Sequence, residues 1–145
     1  MKLRKSVKDL CEEADAQIET WDVVTAIAHH GRPDVLLVDI RDVRELWRDG
    51  GIPGALHAPR CMLEFWIDPE SKYAKPIFQS GRRFVFFCAG GRRSALATKT
   101  VQDMGLGPVC HIRGGYRAWK DAGGPTVRIE PKAAADPQGS TSQSG

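Results

Sequence analysis

Short apolar runs alternate along the chain with longer segments of helical periodicity. Residues 35–40, 84–87 and 109–112 are apolar almost throughout, which is typical of strands that are buried on both faces of a parallel sheet. The shorter run at residues 55–58 stands between a glycine and a proline and predicts a further strand. The pattern alone therefore predicts four strands.

Helices are predicted between these strands. Apolar side chains recur at helical spacing in the segments around the strands, at residues 6–18, 21–29, 41–47, 93–104 and 116–121. A single helical turn fits residues 62–66, and Gly105 occupies the position of a C-terminal capping glycine. Strands that alternate with helices form βαβ units, so we predict an α/β fold with a parallel sheet covered by helices on both faces.

The chain of 145 residues is long enough for one domain with its own hydrophobic core. Residues 1–20 are predicted to form a helical extension ahead of a domain that spans residues 21–127. Residues 128–145 are expected to be a disordered tail, because the composition from Pro131 onward shifts to small and polar residues without an apolar face.

The overall charge is mildly positive, at a formal +3, and the arginines are spread along the chain. A nucleic-acid partner is therefore not expected, whereas a small anion needs only a local positive site. The sequence has neither a secretory leader pattern nor an apolar stretch long enough to span a bilayer. We expect a cytoplasmic protein without a membrane partner, and in that compartment an unusual cysteine is more often catalytic than structural.

The candidate chemistry lies at the end of a predicted strand, where Cys88 is followed by a short loop rich in glycine and arginine. Ligands bind at the carboxyl ends of strands in open α/β sheets. The glycines let amide groups turn toward the sulfur, and the helix that begins near Arg93 adds the positive end of its dipole. The guanidinium of Arg93 adds a permanent charge. All three effects favour the thiolate form of Cys88 and predict a reactive nucleophile.

A ring of amide donors with no general base nearby suits a sulfur that carries negative charge before and after a reaction. A persulfide on Cys88 fits this description, with an anion such as thiosulfate, attracted by Arg92 and Arg93, as the sulfur donor. The acceptor is expected to be cyanide or a thiol, including a thiol on a partner protein. The four cysteines have no metal-ligand spacing, so neither a metal nor a cofactor other than the covalent persulfide is expected.

Three ordered motifs resemble those of the single-domain rhodaneses. The loop CAGGRRS resembles the family's C-x-x-G-x-R-S active-site loop, and VDIRDVRELWRDGGIPGALHAPR, residues 38–60, is similar to its V-D-x-R…G-x-I-P-G-A segment. The closing GGYRAWKDAGGP, residues 114–125, resembles the family's G-G-x-x-x-W…G-x-P ending. The resemblance implies a three-layer sandwich around a five-stranded parallel sheet, and a thiosulfate sulfurtransferase that carries sulfur on Cys88. It assigns substrate binding to the loop residues Ala89, Gly90, Gly91, Arg92, Arg93 and Ser94.

Three charged residues near another strand end are predicted to support the structure rather than the chemistry. Asp39 and Arg41 flank the end of a buried strand, which favours an ion pair, and Glu45 stands one helical turn beyond Arg41 as a partner for it.

Cys61 follows a different strand end and is a candidate resolving thiol for the persulfide. The segment 61–83 is longer than a minimal rhodanese requires, and it is expected to form a rim over the site.

Two other functions remain open from the sequence. A cysteine-dependent phosphatase or arsenate reductase also places a cysteine and an arginine around a tetrahedral oxyanion, but its loop is one residue longer than the four residues between Cys88 and Arg93. The other alternative is a non-catalytic binding module of rhodanese-like fold, although such modules frequently lack the cysteine that this chain retains.

Overall fold

The computed structural model describes residues 1–132, and the predicted disorder of residues 133–145 lies outside this part of the chain. Its strands are β1 (Glu19–Trp21), β2 (Val35–Asp39), β3 (Leu56–His57), β4 (Arg83–Phe87) and β5 (Val109–Ile112). They form one parallel sheet in the order β1-β5-β4-β2-β3. The carboxyl end of β4, where Cys88 follows, therefore lies in the middle of the sheet.

The α-helices of residues 1–132 are α1 (Val7–Gln17), α2 (Val23–His29), α3 (Val43–Asp49), α4 (Leu63–Ile67), α5 (Arg92–Asp103) and α6 (Gly115–Asp121). Two 3₁₀ turns, Arg60–Met62 and Pro76–Gln79, precede and follow α4. Each helix begins and ends within two residues of its prediction. No helix in this part of the chain is long and apolar enough to cross a membrane.

Two apolar clusters cover the two faces of the sheet. On one face, α5 contributes Ala97 and Val101 and α4 contributes Leu63, beside Phe86 of β4. On the other face, α2 and α6 pack against the remaining strand residues, with the side chain of Trp119 completely buried. The predicted α/β sandwich with a five-stranded parallel sheet between helical layers is confirmed.

The edge strand β1 was not predicted from the hydrophobic pattern. It has three residues, which pair with β5 so that Thr20 lies opposite His111. A strand this short offers too few alternating positions for a periodic signal. The helix that was predicted to begin at residue 21 instead begins at Val23, because the side chain of Asp22 accepts the amide hydrogen of Thr25 and caps it.

The N-terminal helix α1 packs against α5 and buries Cys11 and Ala14. It begins with a capping box, in which the Ser6 hydroxyl accepts from the Asp9 amide at 3.0 Å and the Asp9 carboxylate accepts from the Ser6 amide at 2.9 Å. The helical extension predicted ahead of the domain thus lies beside the helix that follows the Cys88 loop.

Candidate active site

The sulfur of Cys88 is buried at the carboxyl end of β4 and is held by the first turn of α5. The amides of Gly91 and Ser94 donate to Cys88 Sγ at 3.1 and 3.4 Å, and the Ser94 hydroxyl lies 3.6 Å from the same atom. Gly91 is the N-cap of α5 and has a φ of +103°, which glycine adopts without strain. The sulfur therefore takes the place of a capping side chain, where negative charge is stabilised.

The start of α6 supports the loop from its other side. The amides of Tyr116 and Arg117 donate to the carbonyl oxygens of Cys88 and Ala89 at 2.8 and 3.1 Å. Gly115 permits this close approach, since a Cβ atom at its position would lie 2.8 Å from the Ala89 oxygen. The loop is thus fixed by hydrogen bonds to the beginnings of two helices.

The guanidinium of Arg93 is bound by Glu45 of α3. Its two terminal nitrogens donate to the two carboxylate oxygens at 2.8 and 2.9 Å. The hydrogen bonds between the two side chains lower the pKa of Glu45 and raise the pKa of Arg93. The charge of Cys88 also raises the pKa of Arg93. The predicted pairing of Glu45 with Arg41 is wrong, because Arg41 is taken up by a different carboxylate.

Arg41 is completely buried just beyond β2. Its guanidinium donates to both carboxylate oxygens of Asp39, at 2.9 and 2.7 Å, and to the carbonyl oxygen of Gly50 at 2.8 Å. The ring of Tyr116 lies 4.3 Å from the guanidinium carbon. The ion pair predicted from the sequence is therefore present, and it joins the end of β2 to α6.

Residues 22–122 match the family model of the rhodanese-like domain. The chain belongs to this family. A sulfurtransferase of Allochromatium vinosum is 36% identical over 97 residues, which cover 67% of this chain and 82% of that protein. Mouse thiosulfate sulfurtransferase/rhodanese-like domain-containing protein 3 is 30% identical over 91 residues, which cover 59% of this chain and 58% of the mouse protein. Both relatives are named as sulfurtransferases, and the match spans little more than half the length of the mouse protein.

A solved structure from Rhodopseudomonas palustris is also similar to this rhodanese-like protein. It is a protein of unknown function, described as a possible tyrosine phosphatase. The two chains are 58% identical with a TM-score of 0.85, and the match covers 88% of this chain and 98% of that one. The folds of the two proteins therefore agree closely.

Two polar residues near the sulfur of this rhodanese-like domain were missed in the sequence. His111 is buried in β5 with its Nδ1 atom 2.9 Å from Ser94 Oγ, and Asp15 of α1 lies 3.5 Å from the Nε2 atom of the same ring. The available signal was a histidine inside an apolar run. Its partners are remote in the sequence, so only the tertiary structure brings them together. The expectation that no general base lies near Cys88 is therefore wrong, because the ring of His111 is connected to the sulfur through Ser94.

The remaining predicted site residues are more exposed than Cys88 and Ser94. Ala89 is half-buried, and Gly90 and Arg92 are exposed on the outer part of the loop. Cys61 is exposed in the turn Arg60–Met62, and it makes no hydrogen bond to the loop within residues 1–132. Its role as a resolving thiol stays a prediction.

Two cavities, each of about 210 Å³, border the loop that follows Cys88 in the rhodanese-like domain. One is lined by Ala89 together with Arg117 and Lys120 of α6. The other is lined by Gly91 and by side chains of α1. The segment 61–83, which was predicted to form a rim, lines neither cavity. Its residues Leu63, Ile67 and Phe78 pack into the core.

Replacing Gly115 with alanine is expected to displace the loop. The residue has a φ of +61°, and the new Cβ would contact the Ala89 carbonyl oxygen. We expect the free energy of unfolding in urea to fall by about 2–3 kcal/mol, from backbone strain plus the steric clash. Gly123→Ala is the matched control, because Gly123 has a φ of +82° but nothing within 4 Å of its added Cβ. Equal losses in the two variants would contradict a specific role for the contact with the loop.

Cys110 is expected to be inert in the folded protein. It is completely buried in β5, and burial raises the pKa of its thiol to about 12. The ordinary pKa of a cysteine thiol is 9.0. Iodoacetamide at pH 9 should therefore alkylate the exposed Cys61 and leave Cys110 unmodified until the protein is unfolded. Peptide mass mapping distinguishes the two sites. Native Cys110 that reacts as fast as Cys61 would contradict the prediction.

Proposed function

We propose that this rhodanese-like domain moves the outer sulfur of thiosulfate onto Cys88 and passes it to cyanide or to a thiol. The proposal rests on the two amide donors, from Gly91 and Ser94, that lie 3.1 and 3.4 Å from Cys88 Sγ at the start of α5. Donors fixed in this way stabilise negative charge on the sulfur without reorganisation. The sulfurtransferase relatives support the same class of reaction.

The first half-reaction is a displacement at sulfur. The Cys88 thiolate attacks the outer sulfur of thiosulfate, the sulfur–sulfur bond of thiosulfate breaks, and sulfite leaves with the bonding electrons. The persulfide that forms carries the single negative charge that the thiolate had, so the same donors serve both states. In the second half-reaction, the acceptor attacks the outer sulfur and Cys88 leaves as a thiolate.

Positive charge near the loop favours an anionic donor. Arg92 is exposed on the first turn of α5, and Arg117 and Lys120 line the cavity that borders Ala89. The charge of Arg93, in contrast, is offset by its two hydrogen bonds to Glu45. We infer that the thiosulfate dianion is attracted mainly by Arg92, Arg117 and Lys120.

A phosphatase is the second candidate, because the Rhodopseudomonas palustris relative is described as a possible tyrosine phosphatase. Phosphoryl transfer requires cations placed on the oxygens of the transferred group. Here only four residues separate Cys88 from Arg93, and the guanidinium of Arg93 is bound by Glu45. Both observations favour sulfur transfer over phosphoryl transfer.

A single-turnover experiment separates the two functions. The protein is incubated with thiosulfate, desalted to remove the free anion, and then mixed with cyanide. We expect about one thiocyanate per chain, because the sulfur is stored on one cysteine. An aryl phosphate is tested in parallel and should not be hydrolysed. Absence of thiocyanate, with aryl phosphate hydrolysis that depends on Cys88, would overturn the proposal in favour of the phosphatase.

A further inference from the structure

A line of polar side chains leads from Cys88 to the protein surface. Cys88 Sγ lies 3.6 Å from Ser94 Oγ, and Ser94 Oγ lies 2.9 Å from Nδ1 of His111. On the opposite side of the imidazole ring, Nε2 lies 3.5 Å from a carboxylate oxygen of Asp15. The first three residues are buried, whereas 57% of the Asp15 side chain is exposed on α1.

The donor and acceptor capacities of these groups fix the direction of the hydrogen bonds. Nε2 of His111 is buried, makes no hydrogen bond within residues 1–132 and faces a carboxylate, which only accepts. The ring proton therefore belongs on Nε2, and Nδ1 accepts from the Ser94 hydroxyl. The other acceptor near that hydroxyl, the carbonyl oxygen of Gly91, is more distant at 3.3 Å. Ser94 Oγ is then free to accept a hydrogen bond from the Cys88 thiol.

We propose that Ser94, His111 and Asp15 form a proton relay that converts the Cys88 thiol into the thiolate. The thiol proton passes to Ser94 Oγ while the Ser94 hydroxyl proton passes to Nδ1 of His111. The net change is one proton moved from sulfur to the ring, with no electron gained or lost. The carboxylate of Asp15 balances the charge of the imidazolium. His111 and Asp15 are positioning residues, because they act on the sulfur through Ser94.

The surroundings of His111 favour the neutral ring, which leaves a free lone pair on Nδ1 for the Ser94 hydroxyl. Burial lowers the pKa of His111 while Asp15 opposes the shift, so the ring is neutral at rest. Arg113, which follows β5, also favours the neutral form. The neighbouring strand β1 presents the uncharged Thr20 at the paired position, and α5 presents Ser94. Within residues 1–132, Asp15 is the carboxylate that lies within 4 Å of the ring.

Asp15 comes from the N-terminal extension, outside residues 22–122 that match the family model. The extension is held on α5 by packing, with Cys11 Sγ 3.9 Å from the carbonyl oxygen of Arg92. The role that we assign to α1 is therefore to bring a carboxylate to the far end of the relay. The use of the relay in sulfur transfer rests on the proposed function, whereas the proton transfer itself does not.

Alkylation of Cys88 by iodoacetamide tests the relay without a sulfur donor, because the thiolate is the reacting form. The rate is followed across pH by peptide mass mapping. We expect His111→Asn to lower the rate at neutral pH about tenfold and to move the midpoint of the profile to higher pH. Asp15→Asn should give a smaller change in the same direction. The double variant should be no slower than His111→Asn alone, because the groups act in series.

Glu12→Gln is the matched control, since it removes another carboxylate from the same helix and should leave the profile unchanged. A wild-type profile in folded His111→Asn or in folded Asp15→Asn would overturn the relay. Asp15 is exposed enough to be replaced without loss of the fold, so its variant decides the question if His111→Asn does not fold. Loss of sulfur transfer with these alkylation changes intact would overturn the proposed function and leave the relay standing.

Nitrogen-15 NMR of the His111 ring gives a second measurement. In the wild type, the doubly protonated ring should persist to higher pH than in Cys88→Ser, because the Cys88 thiolate stabilises the imidazolium. In Cys88→Ser, which has no acidic thiol, the ring should lose that proton at lower pH. An identical His111 titration in the two proteins would overturn the relay.

Discussion

Replacing Arg41 with alanine is expected to lower the free energy of unfolding by about 3–5 kcal/mol. Arg41 is completely buried and donates to both carboxylate oxygens of Asp39. Its removal leaves a buried carboxylate without a counter-charge, and the carbonyl oxygen of Gly50 loses its donor as well. Urea unfolding at neutral pH measures the loss, provided that the slope of the transition is unchanged.

Two control variants locate the origin of that loss. Arg44→Ala removes an arginine from an exposed pair with Asp42 and should change stability little, because exposed ion pairs contribute little. The double variant Asp39→Leu, Arg41→Met should recover part of the loss, because no unpaired charge then remains buried. An Arg41→Ala protein as stable as Arg44→Ala would contradict the role assigned to the buried pair.

Replacing Cys88 with serine is expected to lower the turnover of thiosulfate and cyanide by at least about a thousandfold. A serine hydroxyl in the same cradle cannot form a persulfide, so the covalent route is lost while the amide donors remain in place. The rate of thiocyanate formation measures the effect. The fold should be retained, because serine occupies nearly the same volume and can accept from the amides of Gly91 and Ser94.

Cys61→Ser is the matched control for Cys88→Ser, because it makes the same chemical change at an exposed cysteine. It should keep the wild-type rate of thiocyanate formation. Residual turnover in Cys88→Ser close to that of Cys61→Ser would mean that Cys88 does not carry the sulfur.

The parts of the fold that were predictable depend on neighbours in the sequence. Buried strands and amphipathic helices leave local patterns, and so does a cap such as Gly105, whose amide donates to the carbonyl of Gln102 at a φ of +100°. The edge strand β1 has three residues and gains its conformation from pairing with β5. A strand of three residues is too short for such pairing to leave a periodic mark in the sequence.

The same distinction applies to the site. The cysteine, the glycines and the start of α5 are contiguous, so the cradle of Cys88 could be predicted from its own residues. The partner of Arg93 could not, because Glu45 reaches it from α3 across the tertiary structure. His111 and Asp15 were missed for the same reason, since each approaches the loop from a different element of the fold.

Intact-mass spectrometry after incubation with thiosulfate tests most directly whether Cys88 carries the sulfur. We predict that the wild-type protein gains the mass of one sulfur atom, that peptide mapping places it on Cys88, and that cyanide removes it. Cys88→Ser should gain nothing under the same conditions, and Cys61→Ser should gain one sulfur like the wild type. A wild-type protein that stays unmodified, or one that carries the sulfur on Cys61, would contradict the claim.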